Sequence, residues 1–225
     1  MLRTIDYPCR QCTHFDGSAG IEQAATDFDS LMGHWSSAGP TYYATARMHW
    51  APERTDPAHI LSEYYSGFGA ASSAVEDYVE YWTDWTSSTF TSNITRTRIE
   101  NLTRAISKQA GTSHGWYKNI AFVYLGSVFD QADALLEAAR QACSSNTQNT
   151  SPAGASCVQR VEFLSNGCKH GRLVAEAINA TNQAGEDIPG RGLNRTGIAM
   201  VMKAAAELSA FREQVAPSGA VNVMW

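Results

Sequence analysis

Residues 29–50 read DSLMGHWSSAGPTYYATARMHW, and they decide how the rest of the chain is read. From Phe28 to Trp35 the pattern alternates, with Phe28, Ser30, Met32 and His34 on one face and Leu31 and Trp35 on the other. A half-buried strand has that period. Ser-Ser-Ala-Gly-Pro then reads as a tight turn, and Pro40 suits the first turn of a helix, where a missing N–H is harmless. In that helix Tyr43, Ala46, Arg47 and Trp50 fall at helical spacing, and Pro52 stops it. Strand, turn and aromatic helix together have the form of the closing step of a β/α barrel. No earlier step is legible ahead of it.

Downstream the periodicity is helical throughout. Thr55-Asp56-Pro57 is a restart, with Asp56 as N-cap, Pro57 at the first helical position and Gly67 and Gly69 closing the short helix. Ala71, Val75, Tyr78, Trp82 and Trp85 form one stripe of a second helix. A third is expected from Trp116 to Cys143. Ile120, Tyr124, Val128, Gln131 and Leu135 form one line of it, with Ala121, Leu125, Ala132, Leu136 and Ala139 beside. Cys157, Val161, Leu164, Cys168, Gly171, Ala175 and Ile178 repeat the spacing, and a last helix from about Gly197 to Val215 turns Ile198, Val201, Ala205 and Leu208 inward.

The expected fold class is mainly α: an antiparallel helical bundle following the last β/α unit of an incomplete TIM-type barrel. Residues 1–52 would be the barrel remnant and 53–225 the helical domain. The apolar, strand-like ending at Val221–Trp225 adds to the expectation that the chain is cut at both ends.

Composition narrows the function classes. The chain has 225 residues, is 44% hydrophobic and 17% charged, and carries 17 Lys+Arg against 22 Asp+Glu, a formal charge of −5. It can bury a real core. Its mild acidity and lack of a basic cluster exclude the electrostatic footprint of a nucleic-acid binder. No apolar run approaches the roughly 20 residues that cross a bilayer, and Met1–Gly17 has no apolar stretch of a secretion signal. Asn-X-Ser/Thr triplets at Asn93, Asn101, Asn149, Asn179 and Asn194 are weak indications of glycosylation in a chain this rich in Ser and Thr.

Cys143 ends one predicted helix and Cys157 opens the next, across a polar connection. Antiparallel neighbours bring those ends together, so a disulfide is geometrically feasible, and its loop of about 15 residues is worth about 3 kcal/mol. Two reduced cysteines beside a mobile loop are the alternative. Cys168, on an apolar stripe, reads as a small buried hydrophobe.

Residues 29–81, and above all GPTYYATARMHWAPERTDPAHILSEYYSGFGAASSAVEDYVEYW, resemble a bacterial family of glycoside-hydrolase-like proteins related to α-glucuronidases and catalogued as a domain of unknown function. VQRVEFLSNGCKHGRL, residues 158–173, is similar to a later helix of the same region. The resemblance covers about residues 25–215. It implies a final barrel strand, an aromatic helix ending in Trp-x-Pro, and a Tyr-Tyr-x-x-Phe-Gly-x-Ala element ahead of a helical region. It also implies hydrolysis of polysaccharides by an intact parent, secreted or periplasmic, whose catalytic carboxylates have no counterpart here.

Candidate chemistry is sparse. Asp27 and Asp29 flank the strand start, whereas barrel active sites lie at strand C-terminal ends. His34 and Trp35 sit at the correct end. In the parent the Trp ring could stack on a sugar and the imidazole could bond a hydroxyl, or both could simply pack the barrel rim. Cys9-Arg-Gln-Cys12-Thr-His14 is half of a zinc site with no second pair, so no metal is expected. Tyr78, Tyr81, Trp82 and Trp85 read as core more than as a sugar platform, with Glu76, Asp77, Glu80 and Asp84 as the solvated face. No phosphate loop, dinucleotide fingerprint or nucleophile elbow occurs, so no cofactor is expected.

The function expected is that of a non-catalytic helical portion of a glycoside-hydrolase-like protein, in contact with carbohydrate through the parent. A stand-alone helical protein-interaction module is the first rival, and a small enzyme working through His34 the second.

Overall fold

The computed structural model describes residues 35–50, 56–91, 123–145, 152–186 and 195–218. Contacts divide the chain into Met1–Leu31 and Met32–Trp225, and all described residues belong to the second unit. They form six α-helices: α1 (Trp35–Trp50), α2 (Pro57–Ser66), α3 (Ser72–Thr91), α4 (Gly126–Ser145), α5 (Pro152–Glu186) and α6 (Arg195–Val215). Two short 3-10 turns, Gly69–Ala71 and Ala216–Ser218, complete the unit. The mainly helical architecture holds for the described residues; of the expected strand from Phe28 to Trp35, residues 28–34 lie outside them and Trp35 is helical.

α2 starts as its sequence directs. The Asp56 carboxylate accepts from the Ala58 N–H at 3.1 Å, and Pro57 fills the first position. Gly67 closes the helix, its N–H bonding back to the Tyr64 carbonyl at 3.2 Å. Gly69 then takes φ +57°, the left-handed region where a side chain is strained, and turns the chain into α3.

α3, α4 and α5 share the main core. Val75 and Tyr78 of α3 meet Phe129, Ala132, Leu136, Ala139 and Cys143 of α4 and Cys157, Val161, Leu164, Cys168 and Ala175 of α5. Those positions recur every three or four residues, so each helix offers one continuous apolar stripe. Full burial of each Leu, Val or Phe contributes about 1.5–3 kcal/mol.

Pairings show that neighbours run antiparallel. The Tyr81 hydroxyl donates to the Val128 carbonyl at 2.8 Å, and Trp85 meets Tyr124 one turn further along α3, with ring centroids 4.9 Å apart. Between α4 and α5, contacts that climb one helix descend the other: Arg172 with Asp130, Arg140 with Ser165, and Cys143 with Cys157. The last pair is a disulfide, S–S 2.06 Å, that joins the end of α4 to the start of α5. α6 lies on the outer side of α5, where Phe211 and Val215 pack against Phe163 and Leu173.

Four expectations change. Trp35 through Pro40 are helical, so Ser-Ser-Ala-Gly-Pro does not break the chain and Pro40 lies inside α1. An interior proline costs about 3 kcal/mol. It is offset here by tertiary contact, because buried Ser36 packs on Gly167 of α5 and Gly39 packs under the Tyr64 ring. Trp50 stands 86% exposed at the end of α1 rather than on its packed side. α4 begins at Gly126, so Leu125 precedes it and is 57% exposed, while Phe129 takes the place that the stripe assigned to Leu125. In α6 the buried line is Gly197, Phe211 and Val215, with Val201, Ala204 and Leu208 half-buried between them. Ile198 (46% exposed) and Ala205, both expected inward, face solvent.

Candidate functional site

α1, α2 and the N-terminal part of α5 line a concavity among the described residues. α1 crosses α5 at Ser36 and Gly167 so closely that a Cβ on Gly167 would stand 1.9 Å from Ser36 Oγ and 2.4 Å from its Cβ. Only glycine admits that approach. α1 is tied to α2 by the Arg47 Nε–Glu63 Oε2 ion pair at 2.9 Å and by the Tyr43 and Tyr64 rings, whose centroids are 5.7 Å apart.

The result is an open groove of about 710 Å³. Tyr42 and Tyr43 of α1, Tyr64 of α2 and the following Phe68 make its aromatic wall, and Ser156, Gln159, Arg160 and Phe163 of α5 make the other. Tyr64 and Phe68 meet edge to face at 5.5 Å. Arg160 brings a charge to the lining, but its guanidinium already donates to the Gly67 carbonyl. The Tyr64 hydroxyl, seated close over Gly39, has no hydrogen-bond partner among the described residues. Burial pushes its pKa up to about 12.

A second polar cluster lies on the seam of α3, α4 and α5. The Cys168 thiol is buried beside the Tyr78 hydroxyl and the Asp133 carboxylate. Arg172 donates to Asp130 at 2.9 Å and to Asp133 at 2.6 Å, and lies 5.5 Å from the centroid of Phe129. Every group here faces another across a helix boundary, so the cluster fixes packing.

Of the residues singled out in the sequence, His34 lies outside the described residues, as do Cys9, Cys12, His14, Asp27 and Asp29. Trp35 is the first residue of α1 and not the end of a strand. Tyr78 is buried, Trp82 packs edge to face on Phe129, and Glu76, Asp77, Glu80 and Asp84 are exposed. Among the described residues no group of three or more His, Cys, Asp or Glu could hold a metal ion, and no helix is long and apolar enough to cross a membrane.

Comparison with protein-family models, curated proteins and solved structures finds no match.

The groove itself was not foreseen. Its signal is the pair of tyrosine doublets, 42–43 and 64–65, each of which sends at least one ring into the α1–α2 contact.

The buried acids of this region predict a pH response. Burial, and then the neighbouring Asp133 carboxylate, push the Cys168 thiol up to about 12; burial also raises Tyr78 and Tyr64. Each group is held in its neutral form by the folded state. Its contribution is complete below its unfolded pKa, about 8.5 for Cys and 10 for Tyr, and is lost as the pH rises towards the folded value. Denaturation midpoints should therefore fall between about pH 8.5 and 11. Native protein should also resist thiol labelling of Cys168 at pH 8 and label on unfolding. A midpoint flat across that range, or immediate labelling at Cys168 itself in the native chain, would contradict the assignment.

Proposed function

We propose that this chain is a non-catalytic C-terminal helical portion of a glycoside-hydrolase-like protein acting on polysaccharides, and that its helices support the barrel of that protein. The parentage rests on the likeness carried by residues 29–81 and 158–173. The non-catalytic half of the reading is supported by how the charged groups are used. Asp130 and Asp133 pair with Arg172, and Glu63 with Arg47, on seams between helices. Hydrolysis by paired carboxyl groups instead needs two of them about 5–10 Å apart, facing one glycosidic bond. The Cys143–Cys157 disulfide favours maturation in an oxidising compartment, which suits a secreted or periplasmic parent.

The test is turnover by the full chain against a panel of aryl glycosides, uronic-acid glycosides and plant and algal polysaccharides. The expected result is no product above buffer. Turnover that disappears in His34→Ala would replace this reading with that of a small enzyme.

A stand-alone helical protein-interaction module is the second reading, favoured by one observation. Ile198 and Met202 (65% exposed) lie one turn apart on the side of α6 away from α5. Large apolar side chains in that position suit a partner surface, and methionine adapts to varied ones.

A further inference from the structure

We propose that the groove between α1, α2 and α5 binds a small monocarboxylate with an aromatic body, an arylalkanoate, and that Arg160 holds its carboxylate. The proposal stands on the groove and on Arg160, independently of the parentage and supporting role proposed above. Tyr42, Tyr43, Tyr64 and Phe163 are each half-buried and line a space of about 710 Å³. Sites for small ligands have that size, with mainly hydrophobic and aromatic walls and a few polar groups that fix orientation. An aromatic body suits these walls, because a ring that meets other rings edge-on or offset gains attraction beyond the area it buries.

Charge selects the head group. Arg160 is the charged side chain of the described lining. Elsewhere in the unit, Arg47, Arg140 and Arg172 each meet a carboxylate: Glu63, Glu137, and Asp130 with Asp133. Arg160 instead donates from one Nη to the Gly67 carbonyl. A carbonyl has no net charge, so that bond orients the guanidinium and leaves its positive charge in place. It also leaves other N–H groups of the five to be used. A guanidinium offers two parallel donors to a carboxylate, and one held in position by Gly67 loses less freedom in doing so. A single cation matches a single negative charge. The Ser156 hydroxyl and the Gln159 amide border the same space and supply neutral donors beside it.

The experiment is calorimetric titration of the full chain with hydrocinnamate, its neutral amide hydrocinnamamide, octanoate and galacturonate. Hydrocinnamate should saturate within about 10 mM and bind about 10-fold more tightly than the amide. It should also bind more tightly than octanoate or galacturonate. Gln159→Glu adds a negative charge at an exposed position of the lining. It should weaken hydrocinnamate about 5-fold and leave the amide and the unfolding midpoint unchanged. Arg160→Gln should make acid and amide bind alike, whereas Arg160→Lys, which keeps the charge, should retain a preference for the acid. Lack of saturation by about 10 mM would overturn the proposal. So would equal affinity for acid and amide, or a preference for the acid that survives Arg160→Gln. Tighter binding of octanoate would replace the aromatic body with an aliphatic chain, and tighter binding of galacturonate would replace it with an acidic sugar; either overturns the proposal. The supporting role fails on a different measurement, turnover, so the two are separable.

Discussion

Opening the Cys143–Cys157 disulfide should lower the unfolding free energy by about 3 kcal/mol, the loop-closure value for a bridge of this span. The two cysteines are 14 positions apart and join α4 to α5 at one end of the main core. Both are buried, Cys143 at 1% exposure and Cys157 at 7%, with Leu136, Ala139, Val161 and Leu164 on the same stripes. The bridge acts first on the unfolded chain, by keeping the starts and ends of these helices together. In the folded chain it holds the antiparallel register from which the Arg172–Asp130 and Arg172–Asp133 pairs follow. For a unit of this size about 3 kcal/mol corresponds to a fall of roughly 6–12 °C in Tm. Calorimetry of the oxidised protein, of the protein under reductant and of Cys143→Ala/Cys157→Ala should show that fall. Equal Tm values with and without reductant would mean that the bridge does not constrain the fold.

The second large effect is at Gly167. Replacing it with leucine places a side chain where Ser36 already sits, since even a Cβ would come within 1.9 Å of Ser36 Oγ and 3.6 Å of the Ser36 backbone. Overpacking of this kind commonly costs about 1–3 kcal/mol, and more where backbone must move. α1 is the element that can move, because among the described residues its main contacts are with α2 and α5. Gly167→Leu should therefore detach α1 and remove one wall of the groove, leaving the α3–α4–α5 core intact. Hydrogen exchange should report this as lost protection in residues 41–50 with protection retained in α4 and α5. Gly171→Ala is the control, because its Cβ would meet the Phe129 ring at 3.5 Å, an ordinary contact. Protection of α1 that survives Gly167→Leu would contradict the described crossing.

The two predictions rest on parts of the chain that differ in how well sequence reveals them. The stripes of α3, α4 and α5 were legible because each helix buries one face in one shared core, and the three-four spacing records that directly. Ala71, Val75 and Tyr78, and Cys157, Val161, Leu164 and Cys168, are the buried residues of both readings. Asp56-Pro57 was legible because a cap is chemistry between near neighbours.

α6 misled the reading because it is apolar on two sides. Ile198, Met202 and Ala205 compete with Gly197, Val201 and Ala204 for the inward phase, and only the fit of Phe211 and Val215 against α5 decides it. The start of α1 misled it for the opposite reason. Local chemistry at Gly39-Pro40 favours a break, and the contacts that hold it helical come from Gly167 and Tyr64, far away in sequence. The groove was hidden for the same cause: its rings meet only after α1, α2 and α5 assemble.

The central claim, that this helical unit belongs to a larger glycoside-hydrolase-like protein, is tested most directly by reading the encoding DNA upstream of Met1 in frame. The account predicts an open frame that continues for several hundred codons, encodes the preceding strands and helices of a barrel, and supplies two carboxylates at strand C-terminal ends. A stop codon and a ribosome-binding site immediately ahead of Met1 would contradict it, and the interaction-module reading would take its place.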